Sequence, residues 1–385
     1  MSSEKKLPIV LVIGPFDEDW YKICEDCKDK FQIEQANFED IGISSYETTS
    51  VITLHPPTKI KYEFQRDKRV ITPSLVLVRS SVRFCSSRVH NNFDFRNVLY
   101  GIIHANIPMI NPLPAALYDL ERPIMFGILK DIQQKIGEEN FPLIPQYYYS
   151  ESREMIISPE TPFVIKYSYP HAGYGKIRVR DQHDFEDIRS IVAIDNYYCA
   201  AEPLIDVDYE LRVAFIAPDY YRVHKRTSGN WKVNYGYMNF REDVDMNPMF
   251  KMWIDAVRKY VPGMDCFAID AIVDKNGNYY ILELNGSAQG FAPEHEDEYL
   301  DHLKKLVISR LDEILNKKEK DQKDQVTIES DLSLQNLNYR NEIEFLKTQL
   351  KCKDEKIDIL EKLEYKRNMG HFHLFLELFT SLSKF

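Results

Sequence analysis

Long apolar runs are missing from this chain. No stretch approaches the roughly 20 residues that a membrane-crossing helix needs. Met1–Lys6 leads into a strand-like segment, not the apolar core of a secretory signal. Positive charge is also in deficit: 49 Lys and Arg face 60 Asp and Glu, a net charge of −11. That argues against nucleic acid as a partner and against strong electrostatic attraction to anionic membranes, while leaving room for a local basic cleft. Glycine is sparse, 14 of 385 residues, and neither a P-loop nor a Rossmann glycine fingerprint occurs. The six cysteines are scattered. Cys24-x-x-Cys27 has no second Cys/His pair at zinc-finger spacing and sits in an amphipathic segment, so it reads as structural. A reducing, cytoplasmic setting is the default expectation.

What is present suits a large globular core: 44% hydrophobic residues and 24 tyrosines. Leu7–Gly14 reads as a buried parallel-type strand, Asp19–Lys30 as a helix, and Phe31–Phe38 and Leu75–Arg79 as further strands. Arg96–Ala105 reads as a helix and Pro108–Asn111 as a short strand. Strands alternating with helices predict a three-layer α/β domain over residues 1–112. After the Pro-rich break at Asn111–Pro114, a second domain is expected over 113–315. Its helices are predicted at Pro123–Ile136, Asp184–Val192, Pro248–Tyr260 and Glu296–Leu315. Residues 316–385 form a third region. Lys317–Asp324 reads as a linker or solvated helix. Ile343, Leu346, Leu350, Ile357 and Leu360 share a short heptad seam interrupted by Lys353, and an apolar tail from Phe372 to Phe385 follows.

The most informative segment is Phe267–Val273 joined to Tyr280–Gly286 through Asn276-Gly277, a strong hairpin signal. Asp270 and Glu283 each interrupt an apolar run. Glu283 and Asn285 are two apart and project from one face; Asp270 comes opposite if the strands pair about the turn. Taken singly, either acid reads as an edge carboxylate neutralised by Lys or Arg. Together the three oxygen-bearing side chains suit a hard cation held with phosphates. Two such carboxylates repel, so neutralising both is expected to leave the fold intact or firmer.

Upstream, Thr161–Lys166 reads as a short strand ending in a lysine that can reach phosphate oxygens. The loop Gly173-Tyr174-Gly175-Lys176 allows backbone N–H groups to approach an anion. Glu202-Pro203-Leu204-Ile205 ends another strand and can offer backbone groups to an adenine edge. Glu210 is placed to accept from ribose hydroxyls. Arg226 and Lys232 add positive charge, read equally well as a solvated face.

This order of elements resembles the ATP-grasp superfamily and, within it, the synapsin family. The resemblance runs from about Pro8 to about Leu311. It includes Ile33–Phe38, Asp94–Asn97, Phe141–Ile144, Gln182–Phe185, Glu202–Asp206 and, most distinctively, Arg226-Thr227-Ser228-Gly229-Asn230-Trp231-Lys232. It implies a pre-ATP-grasp α/β domain followed by an ATP-grasp domain; the C-terminal helical or coiled-coil extension read from the residues beyond them is not part of the resemblance. It implies ATP and a divalent metal, Mg²⁺ or Ca²⁺. Lys166 would contact the phosphates, Arg122 lies where the family has another nucleotide-contacting base, commonly Lys, Gly173–Gly175 would close over the phosphates, and Asp270 and Glu283 would hold the metal. In animal synapsins the position two after the second acid is apolar; Asn285 instead matches the third ligand of catalytic ATP-grasp enzymes. The resemblance implies an oligomeric (dimeric or tetrameric) scaffold in vesicle trafficking and neurotransmitter secretion, with peripheral contact to synaptic vesicle membranes. The alternative is an ATP-dependent carboxylate–amine ligase or a small-molecule or inositol phosphate kinase.

Overall fold

The computed structural model describes residues 7–15, 17–47, 49–56, 67–86, 91–118, 120–169, 173–195, 197–228 and 239–349. The chain divides into two units, Met1–Ile314 and Leu315–Phe385.

The first unit opens with a parallel sheet in the order Gln32–Ala36, Ile9–Ile13, Leu75–Val78, Met109–Ile110. Ile9–Ile13 is apolar throughout and buried throughout, as a strand covered on both faces must be. The helix Arg96–His104 buries Leu99 and Ile102. Gly101 lets it approach closely, because a Cβ there would lie 2.3 Å from Ile43 Cγ2. Ile43 belongs to an antiparallel sheet, Ile41–Ser45, Ser50–Leu54 and Arg69–Ile71, that the sequence reading did not foresee. A hairpin, Arg83–Ser86 with Asn91–Asp94, completes this part.

A four-stranded antiparallel sheet follows, ordered Tyr147–Tyr149, Cys199–Pro203, Phe163–Tyr167, Lys176–Val179. The helix Gln182–Asp195 packs Phe185, Ile188 and Val192 into its core. The largest sheet has five antiparallel strands, ordered Asn239–Val244, Tyr220–Ser228, Val207–Ile216, Cys266–Asp274, Tyr279–Asn285. The helices Arg122–Ile136 and Pro248–Tyr260 share its core, which includes Leu129, Ile132, Trp253 and Val257.

Two predicted helices differ. Asp19–Lys30 is broken into a single turn, Trp20–Ile23, and a 3₁₀ turn, Glu25–Cys27. Trp20, Cys24 and Cys27 are all buried, at the i, i+4, i+7 spacing that the predicted helix would bury too, and Gln35 Oε1 accepts from the Trp20 N–H at the first turn. The helix predicted to stop at Leu315 instead runs Glu296–Gln349. Residues 316–349 contain no glycine or proline to end it, and Lys, Glu and Gln are good helix formers. The heptad residues from Leu350 onward and the apolar tail lie outside the described residues. Among the described residues, no helix is long and apolar enough to cross a membrane.

Candidate functional site

The antiparallel hairpin forms as its turn signal requires, with Gly277 at φ +84°. Its register places Asp270 directly opposite Glu283. This depends on a bulge: Ala271 pairs with Ile281 and Asp270 with Glu283, so Leu282 is the extra residue. Asn285 Nδ2 donates to Asp270 Oδ2 at 3.0 Å. The three side chains proposed from sequence as metal ligands are therefore together.

They are not alone. Across the sheet, one row reads His224, Arg212, Asp270, Glu283 on four neighbouring strands. Arg212 grips Asp270 with two hydrogen bonds, of 2.8 and 2.9 Å. Arg226 Nη2 lies 3.6 Å from Asp270 and donates to Glu210 at 3.1 Å. Arg122 Nη1 donates to Glu283 Oε2 at 2.7 Å. Burial alone would raise the Asp270 carboxyl, but the Arg212 charge and hydrogen bonds outweigh it and hold it below the usual carboxylate range. Glu210 moves the other way: its burial outweighs Arg226 and raises it. His224 is 4% exposed, and burial beside Arg226 and Arg212 pushes its imidazole down to about 4.

Lys166 is the next-to-last residue of its strand, Phe163–Tyr167, 6% exposed, and its ammonium donates to Glu202 Oε1 at 2.5 Å. Gln146 Nε2 donates to the same oxygen at 2.8 Å. Burial draws the Lys166 ammonium below its ordinary range, against the pull of Glu202. So the Glu202 side chain is turned to the lysine, while Pro203, Leu204 and Ile205 continue along the wall of a cavity of about 520 Å³. Lys166, Lys176, Arg178, Glu202, Glu210 and Arg226 also line that cavity, between the two antiparallel sheets. Gly173, Tyr174 and Gly175 form the turn just before Lys176, with positive φ at both glycines, but are not among its lining residues. Arg122 borders a smaller neighbouring space with Glu283 and Lys166. Lys232 lies outside the described residues.

A second cavity, of about 330 Å³, adjoins the first at Arg226. Asp270, Glu283, Asn285 and Arg212 line it from one side; Ser80, Ser81 and Arg83 line it from the first α/β layer. The acids thus line the smaller cavity, which meets the larger one at Arg226. Sequence reasoning missed the role of Arg212. Its signal was present in the spacing Glu210-x-Arg212, which places both on one strand face, but its acidic partner depended on a register between distant strands.

Among the described residues, no cluster of three or more His, Cys, Asp or Glu is arranged to hold a metal. Two carboxylates and an amide are fewer ligands than a full protein cage needs. They fit a small hard cation that takes its remaining ligands from water and substrate phosphates.

Comparisons with known proteins agree with this architecture. Residues 3–109 match the synapsin pre-ATP-grasp domain, and residues 112–313 match the synapsin ATP binding domain. A synapsin of Drosophila melanogaster is 26% identical over 325 residues, covering 81% of this chain. The chain spans 30% of that relative's length. Among solved structures, the chain is similar to the D-cycloserine synthetase DcsG (TM-score 0.54, 14% identity, 79% of this chain and 99% of that one). It is also similar to D-alanyl-alanine synthetase A of Vibrio cholerae (TM-score 0.54, 11% identity, 80% and 99%). The ATP-grasp ligase PsnB with a phosphomimetic precursor variant, Mg and ADP gives a TM-score of 0.52 at 15% identity (80% and 99%). These likenesses show the ATP-grasp fold.

Proposed function

This chain belongs to the synapsin family, and from that premise we propose that it binds ATP in the larger cleft, with a divalent metal where the smaller cavity adjoins it. The observation that carries this is the matched charge of the site. Lys166 with Glu202, Arg226 with Glu210, Arg212 with Asp270 and Arg122 with Glu283 form four opposite-charge pairs in one region. A metal–triphosphate brings both signs of charge at once. The cation takes Asp270, Glu283 and Asn285 oxygens, and the phosphates take Lys166, Arg226 and Arg122. Lys176 and the Gly173–Gly175 turn close over the anion. Pro203–Ile205 face the adenine, and Glu210 faces the ribose. Mg²⁺ fits the small ligand set, and Ca²⁺ is tested beside it. Mg·ATP is expected to raise the melting temperature, since a ligand selective for the native state stabilises it by mass action; an unchanged melting temperature at millimolar Mg·ATP would refute the assignment.

The family supports a role as an oligomeric cytoplasmic scaffold in vesicle trafficking or regulated secretion, in peripheral contact with the membrane. Light scattering and liposome flotation test assembly and contact separately.

A second reading, catalysis, rests on Asn285 and the adjoining cavity. Asn285 stands within hydrogen-bond distance of Asp270, and the 330 Å³ space opens beside both. A ligase or kinase needs such a space for its second substrate. Positioning and charge neutralisation then supply the chemistry. Purified protein incubated with Mg·ATP and a metabolite pool should release ADP or phosphate above background; none would leave binding alone.

A further inference from the structure

Glu121 lies where three parts of the first unit meet. It immediately precedes the helix Arg122–Ile136. Arg83, from the hairpin of the α/β part, donates to Glu121 Oε1, and Arg96 lies 3.5 Å from the same oxygen. Tyr198 Oη donates to Glu121 Oε2 at 2.8 Å. Tyr198 directly precedes the strand Cys199–Pro203, which carries Glu202.

The second contact is a stack. The Arg83 guanidinium carbon lies 3.6 Å from the centre of the Tyr169 ring. Tyr169 follows the Lys166 strand and precedes Gly173 by four residues. Between strand and ring, Ser168 holds a left-handed backbone at φ +57°, and its N–H donates to Tyr198 O at 3.0 Å. A serine in that conformation costs about 1 kcal/mol or more and persists where its surroundings over-determine it. Here the bend turns Tyr169 under Arg83. Arg83 itself is 8% exposed. Burying an arginine between a carboxylate and a ring is a costly way to fill space, and apolar packing would serve stability better.

We propose that Arg83 and Glu121 are positioning residues that clasp the root of the Gly173–Gly175 turn and the Glu202 strand to the α/β part, holding the nucleotide cleft closed. This rests on the nucleotide reading above. Arg83 grips the loop root through Tyr169, and Glu121 grips the neighbouring strand through Tyr198. Arg122, the next residue, reaches Glu283, so loop position and acid position share one anchor. Arg83, Glu121, Tyr169 and Tyr198 are not among the residues lining the larger cavity.

The test is a double-mutant cycle on the rate of Mg·ATP dissociation, measured by chase from the full-length protein. Arg83→Met and Tyr169→Leu should each speed dissociation by roughly 3- to 30-fold, the range of a desolvated cation–π contact. The double variant should be no faster than the faster single one, because both remove the same contact. Tyr198→Phe, which deletes one hydroxyl, should also speed dissociation; it keeps the test open if Arg83→Met does not fold. Multiplying effects in the double variant, or wild-type dissociation in Arg83→Met and Tyr198→Phe proteins of normal melting temperature, would overturn the clasp alone. A wild-type protein that binds no Mg·ATP would overturn the nucleotide reading and the clasp with it.

Discussion

Lys166 Nζ and Glu202 Oε1 lie 2.5 Å apart, with their side chains almost fully withdrawn from solvent. An ammonium and a carboxylate in such a place stabilise each other and are costly apart. The lysine proposed for phosphate is therefore also a structural partner.

That dual role separates two measurements. Lys166→Ala should abolish most of the ATP-induced rise in melting temperature. It should also lower the stability of the ligand-free protein by about 3 kcal/mol, because Glu202 is left buried with only Gln146 beside it. Adding Glu202→Gln should recover much of that stability without restoring ATP binding. Chemical denaturation of the three proteins, with and without Mg·ATP, checks both. A normal ATP shift in Lys166→Ala would remove Lys166 from the site.

The acid pair behaves differently from its sequence expectation. Two adjacent carboxylates suggested that neutralising both would leave the fold intact or firmer. Asp270 and Glu283 instead each face a guanidinium, Arg212 and Arg122. Asp270→Asn with Glu283→Gln should therefore destabilise the ligand-free protein by up to about 3 kcal/mol, since two partly buried arginines lose their charged partners. The divalent-metal dependence of ATP binding should vanish. Affinity titrations in Mg²⁺, Ca²⁺ and chelator decide it; a retained metal dependence would exclude these acids as ligands.

Acid should be felt first through His224. Its folded value of about 4 lies below the ordinary 6.5. Above pH 6.5 the imidazole is neutral folded and unfolded, and contributes no slope. Between 6.5 and 4 only the unfolded chain takes the proton, so stability falls as pH falls, by about 3 kcal/mol in all. The groups facing it are Arg226, Arg212, Asp270 and Arg241. His224→Gln should flatten the stability profile over this window by close to one proton. An unchanged slope would show that His224 gains no charge on unfolding there.

Deleting residues 317–385 should leave a folded, ATP-binding protein, since every proposed site residue lies before Leu315. ATP-induced stabilisation should match the full chain, while far-UV circular dichroism should lose only the helical signal of the deleted part of Glu296–Gln349. Light scattering and liposome flotation of both forms would then assign assembly and membrane contact to one region or the other. Loss of ATP binding on truncation would move the boundary of the nucleotide-binding part.

The site was legible where chemistry is local in sequence. Asn276-Gly277 announces its turn, and acids in apolar runs announce Asp270 and Glu283. Asn247-Pro248 marks its helix start, where Asn247 Oδ1 accepts from the Phe250 N–H. What stayed hidden depends on register. The pairing of Arg212 with Asp270 joins strands 58 residues apart. The sheet of Ile41–Ser45, Ser50–Leu54 and Arg69–Ile71 was missed because its strands are short and only partly buried, giving a faint alternation. Helix ends failed for a related reason: solvated Lys and Glu residues carry no stop signal, so charge alone suggested an ending at Leu315 that the backbone does not make.

Leu282 gives the hairpin a parity. In a regular ladder from Ala271–Ile281, position 282 would stand opposite Asp270, and Glu283 would point to the other side of the sheet. One supernumerary residue resets that alternation at the step where an acid must change sides. The two acids meet only because Leu282 stays out of the pairing. Pairing Leu282 into the ladder would turn Glu283 and Asn285 away from Asp270 together, whereas removing it would leave a regular ladder with Glu283 still opposite Asp270.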